Sequence, residues 1–93
     1  MDPIEALREY LPELFKQYPV SKIGVFGSFA RGDANSESDI DLLIDFSKPV
    51  SLFSFVDIKL DLENLLQRKV DLVTENALKP RIKDKILNEV VYL

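Results

Sequence analysis

The sequence contains neither cysteine nor histidine among its 93 residues. Disulfides and thiolate nucleophiles are thereby excluded, as are structural zinc sites of the usual type and the commonest general base at neutral pH. Any metal must be held by oxygen, which suits Mg²⁺ or Mn²⁺. No apolar run approaches the roughly 18 residues that read as a membrane span. The acidic opening Met1-Asp2-Pro3-Ile4-Glu5 lacks the basic start and apolar stretch of a secretory signal, so a cytoplasmic protein without a membrane partner is expected. Positive charge is also scarce: 12 Lys and Arg stand against 16 Asp and Glu, for a net charge of −4. Long nucleic acid is therefore not expected as a direct partner, because phosphate-backbone affinity rests on a basic footprint. A small, metal-neutralised phosphate ligand remains compatible.

What is present, 46% apolar and 30% charged residues, describes one domain over residues 1–93. That size is near the lower end for a self-sufficient core, so association, including homo-oligomerisation, would add stability. Asp2-Pro3 reads as an N-cap followed by proline at the first helical position, and Ile4, Leu7, Leu11, Leu14, Phe15 and Tyr18 recur at helical spacing. The helix should run to about residue 17, kinked or split at Pro12. Val20 to Phe26 reads as a buried strand, Ser28 to Gly32 as a turn or two of helix, and Asp33 to Ser38 as a polar loop. A second strand follows over Ile40 to Phe46. Ser51 caps a long helix to about Gln67, whose Leu52, Phe55, Val56, Ile58, Leu62, Leu65 and Leu66 predict burial on more than one side. Val70 to Thr74 is a third strand, and Pro80 opens a last helix with Ile82, Ile86, Leu87, Val90 and Val91 facing inward. The order is α-β-(short α)-β-α-β-α, a small α/β (α+β) layer structure.

Residues two apart on a strand share a face, so Asp39 and Asp41 set two carboxylates side by side where the second strand starts, enough to hold a divalent ion. Alternatively, Asp39 belongs to the loop and Asp41 is a solvated strand residue. Asp71 is the lone charge in Val70-Asp71-Leu72-Val73, a costly placement in a buried strand unless it is paired or metal-bound. Either it completes a three-carboxylate cluster, a ligand set for two Mg²⁺ ions clamping a phosphoryl transfer, or it sits at an exposed sheet edge. Gly27-Ser28 lies where a strand hands over to a short helix and leaves backbone N–H groups free for phosphate oxygens. Glycine there also serves turn geometry alone. Asp45 is roughly 13 Å along the strand from Asp41 and reads as a solvated strand end. Arg31 suits either a phosphate or an acidic neighbour. Lys79, Arg81, Lys83 and Lys85 read as a charged outer face first, with contact to nucleotide or partner as the alternative.

Gly27-Ser28, ten intervening residues, then Asp39-x-Asp41 resembles the signature of the DNA polymerase β-type nucleotidyltransferase superfamily, and the fuller GSFARG…SDIDLLIDF is similar to its minimal nucleotidyltransferase branch. The likeness continues through Ser51-Leu52-Phe53, KVDLVT at Lys69 to Thr74 and LKPRIKDKIL at Leu78 to Leu87. The resemblance implies a palm-like fold, a small mixed sheet flanked by helices. It implies that Gly27 and Ser28 contact the triphosphate, with Arg31 and Ser38 as further nucleotide-binding candidates, and that Asp39, Asp41 and Asp71 bind Mg²⁺ or Mn²⁺. Asp71 would help activate the acceptor hydroxyl, with ATP as donor and pyrophosphate leaving. Larger members of the superfamily carry an additional acceptor-shaping domain. The minimal branch instead pairs with a separate HEPN-domain ribonuclease toxin and acts as its antitoxin, transferring AMP to a toxin tyrosine. The rival readings are an antitoxin that neutralises by binding alone and, from another class, a small-molecule adenylyltransferase.

Overall fold

The computed structural model describes residues 2–93. Helix α1 (Pro3–Gln17) starts as its sequence dictates: Ile4 N–H donates to the Asp2 carboxylate at 2.9 Å, and Pro3 occupies a position where no N–H is needed. Pro12 does not split it. Both Pro12 and Arg8, whose carbonyl loses its donor four residues on, are exposed, so water can serve that carbonyl. Strand β1 (Val20–Phe26) leads into the one-turn helix α2 (Ser28–Arg31), and strand β2 (Ile40–Phe46) into helix α3 (Leu52–Leu66). Ser51 caps α3 by accepting from Ser54 N–H at 3.1 Å. Strand β3 (Val70–Val73), a 3₁₀ turn at Glu75–Ala77, helix α4 (Pro80–Glu89) and strand β4 (Val91–Tyr92) complete the chain.

The sheet is mixed, in the order β3-β2-β1-β4. β1 pairs antiparallel with β2 and β4, whereas β2 and β3 run parallel, the pairing that a helical crossover such as α3 permits. One face carries Ile23, Val25, Ile40, Leu42, Ile44, Val70 and Leu72, which pack on Leu7, Leu11 and Leu14 of α1 and Ile58, Leu62 and Leu66 of α3. Each fully buried Leu or Ile contributes about 1.5–3 kcal/mol relative to exposure. The alternate residues point to the second face. There the register sets Phe26 opposite Asp41 and Asp41 beside Asp71, forming one row across three strands.

Three expectations are corrected. α3 buries only one stripe, leaving Leu52, Phe53, Val56, Leu60 and Leu65 exposed, Phe53 at 84%. α4 has no fully buried residue and ends at Glu89, so Val90 and Val91 do not extend its inner face; Val91 instead starts β4, opposite Val25. Thr74 lies just past β3 rather than within it. Among the described residues no helix is long and apolar enough to cross a membrane.

Leu62→Ala, at a fully buried position of α3, is expected to lower the unfolding free energy by about 2–5 kcal/mol in urea titrations. Leu60→Ala, on the exposed side of the same helix, should change it by less than about 0.5 kcal/mol.

Candidate active site

The second face of the sheet collects the polar residues at one end, where β1 finishes and β2 and β3 begin. Gly27 has φ +71°, and a Cβ there would collide with the Asp41 carboxylate. Glycine is thus required twice, for the backbone angle and for the approach of Asp41. Ser28 opens α2 and is half-buried. Asp41 is half-buried on β2, with Asp71 beside it on β3; Asp39 stands exposed just before β2 begins. Asp71 sits exposed on an edge strand, as the second of its two readings expects, and it neighbours Asp41 in register.

This crowding of carboxylates has an electrostatic consequence. The Asp41 carboxyl is pushed up from its ordinary pKa, first by partial burial and then by the like charges of Asp71 and Asp39; Glu89 adds to the effect and Arg31 opposes it. A divalent cation between these oxygens would relieve that repulsion. The donors are all hard carboxylate oxygens, the chemistry Mg²⁺ and Mn²⁺ prefer. Among the described residues no three acidic side chains form a preassembled metal cage.

Arg31 meets acidic neighbours, Asp33 at 3.3 Å and Glu89 at 3.3 Å. The Ser38 hydroxyl turns into its own loop, accepting from Asn35 N–H at 2.9 Å. Asp45 pairs with Lys22 at 3.8 Å, away from Asp41. Lys83 pairs with Glu75 at 3.9 Å, and Lys85 lines a cavity of about 210 Å³ with Phe26, Gly27, Arg31, Ile82, Ile86 and Glu89.

Two residues of the site were not legible in the sequence. Arg68 donates to the carbonyls of Asn35 and Ser38, both at 3.1 Å, and its guanidinium lies over the Phe29 ring at 5.2 Å. It ties the loop that delivers Asp39 to α2 and to the α3–β3 turn. Glu89 accepts from Gly27 N–H at 2.5 Å as well as from Arg31. Neither residue has a local motif, because each acts on segments far away in sequence.

A family model described as a nucleotidyltransferase domain matches residues 4–93. The protein adenylyltransferase MntA of Thermococcus cleftensis (strain DSM 27260 / KACC 17922 / CL1) is 43% identical over 94 aligned positions, covering 100% of this chain and 95% of the relative. A solved structure provisionally identified as a minimal nucleotidyltransferase is 39% identical with a TM-score of 0.84, covering 100% of this chain and 97% of the other. A crystal structure of a toxin–antitoxin with AMP-PNP shares the fold at 20% identity and a TM-score of 0.71, over 99% of this chain and 72% of that one.

The raised pKa of Asp41 makes a signed prediction. The folded chain holds this proton at pH values where the unfolded chain has released it, so the group's contribution to stability falls as pH rises from its ordinary pKa through the raised one. In metal-free buffer, Asp41→Asn should melt higher than the parent at neutral pH, on the order of a few degrees at most. The gap should shrink as pH is lowered through the carboxylate range; calorimetry showing the variant less stable at neutral pH would contradict the crowding.

Proposed function

Because the chain belongs to the nucleotidyltransferase domain family, we propose that it transfers AMP from ATP to a hydroxyl, a tyrosine's in this reading, of a partner HEPN-type ribonuclease toxin, and so acts as an antitoxin. The reading takes residues 1–93 as one minimal nucleotidyltransferase domain working in the cytoplasm, where ATP and Mg²⁺ are abundant. The observation that carries it is the Asp41–Asp71 register beside a glycine turn that admits no side chain. The adenylyltransferase name of a relative covering nearly all of both chains supports the donor and the protein acceptor. The toxin–antitoxin structure with AMP-PNP supports the same setting at the level of fold.

In this reading Gly27 and Ser28 receive the triphosphate through the turn between β1 and α2, and Arg31 and Ser38 lie at its margin. Asp39, Asp41 and Asp71 would hold Mg²⁺, which would supply neutralisation of the phosphates and polarisation of the α-phosphoryl group. Asp71 takes the proton of the acceptor hydroxyl, whose oxygen bonds to the α-phosphorus. The bond from that phosphorus to the oxygen bridging the α- and β-phosphates breaks, and pyrophosphate leaves with the electron pair. The exposure of Asp71 on an edge strand suits an acceptor that arrives on another protein. Histidine is not needed, since a carboxylate in this position is base enough once the acceptor is oriented.

Incubated with a HEPN partner, ATP and Mg²⁺, the parent should add whole adenylyl units to the partner in intact mass spectra. Asp39→Asn/Asp41→Asn should slow that transfer by at least about a hundredfold. A stable, protective complex with no added mass would favour neutralisation by binding. Mg²⁺ with ATP should also raise the melting temperature of the parent more than that of Asp41→Asn, because a ligand bound only to the folded state stabilises it. Equal shifts would count against these carboxylates.

A further inference from the structure

Glu89 is a fourth carboxylate at this site, and no metal-binding or proton-transfer role has been assigned to it. Its side chain is only 17% exposed. One oxygen accepts from the Gly27 N–H at 2.5 Å, and the two oxygens lie 3.3 and 3.4 Å from the Arg31 guanidinium. An acidic side chain therefore occupies one of the backbone donors and the cation that the reading above assigns to the triphosphate. It also adds to the negative field that pushes the Asp41 carboxyl up.

We propose that Glu89 is an internal stand-in for phosphate that the nucleotide must displace, and that it thereby sets nucleotide affinity; this rests on the nucleotide-binding reading of Gly27 and Arg31. The displacement is a side-chain event, because the backbone around Glu89 is anchored. Val90 N–H donates to Ile86, and β4 pairs Val91 and Tyr92 with Val25 and Gly24 of β1. The fit there is close: a Cβ on Gly24 would come within 2.6 Å of the Val90 side chain. The released carboxylate has a destination one turn back on α4, where Lys85 lines the same cavity. In the empty protein the contact keeps Gly27 N–H and Arg31 satisfied. In the loaded protein phosphate oxygens replace it, and one negative charge leaves the path of a polyanion.

This exchange makes a prediction opposite in sign to that of a purely structural role. Glu89→Gln preserves shape and removes the charge that competes with phosphate. By isothermal titration calorimetry on the full chain, it should bind Mg²⁺ with the non-transferable analogue AMP-PNP about three- to tenfold more tightly than the parent, since the penalty of clearing the site is reduced. Without nucleotide it should melt lower, because the charge-assisted contact to Arg31 is lost. Glu89→Asp, whose shorter side chain cannot span both donors, should shift both quantities in the same directions and guards against a folding defect in the first variant. Circular dichroism checks that each variant is folded. Unchanged or weaker nucleotide binding in folded variants, with a parent that binds, overturns the role of Glu89 alone. A parent that binds no nucleotide overturns the reading of the site together with this inference.

Discussion

The half-buried carboxylate of Asp41 is the constraint around which the rest of the structure is arranged. It faces Asp71 across a parallel strand pair and presses on a turn with no room for a Cβ. Each feature costs stability in isolation. Like charges repel, a carboxylate loses hydration, and glycine gives up conformational entropy when ordered. The opposing contribution comes from the other face of the same strands, where Ile40, Leu42 and Ile44 are fully buried against α1 and α3. The alternation of one strand thus joins the best-packed residues of the fold to its most strained electrostatics.

That arrangement also explains how so small a chain can hold its carboxylates with precision. Asp41 and Asp71 are set by backbone register, not by a flexible loop. Asp39 lies outside the strand, and its approach is held by Arg68, which bonds the preceding loop and stacks on Phe29. The turn at Gly27 is held by Glu89, from the far end of the chain. Three segments well separated in sequence therefore converge on one end of the sheet, which is left open on its β3 side. The proposed transfer to a group on another protein suits such an open edge, whereas a small-molecule site is usually more enclosed.

Much of this was legible in the residues themselves. Asp2-Pro3 and Ser51 announced helix starts through capping chemistry, and the β-formers of Val20 to Phe26 with the glycine punctuation after them announced the first strand. The Asp39-x-Asp41 spacing and Gly27-Ser28 pointed to one chemistry together, although each alone was weak. The exposure of Asp71 was ambiguous because its apolar neighbours Val70 and Leu72 look the same in a central strand and in an edge strand with one covered face. The end of α4 was misread because Ile82, Ile86 and Val90 keep helical spacing past the true terminus, while two residues of β4 are too few to announce a strand. α3 looked buried on more than one side because hydrophobicity counts residues and does not reveal which faces find a neighbour. Arg68 and Glu89 were invisible for a deeper reason: their roles exist only after the chain has folded.

The most direct test of the account is where a metal–nucleotide complex settles. Mn²⁺ added with AMP-PNP to isotopically labelled protein should broaden most strongly the backbone amide signals of Gly27, of Ile40 to Leu42 and of Val70 to Leu72, and least those of the first turn of α3, which follows the opposite end of β2. Asp41→Asn should remove that pattern. Broadening centred elsewhere, or an identical pattern in the variant, would contradict the claim that the Asp41–Asp71 pair beside the glycine turn is the catalytic centre.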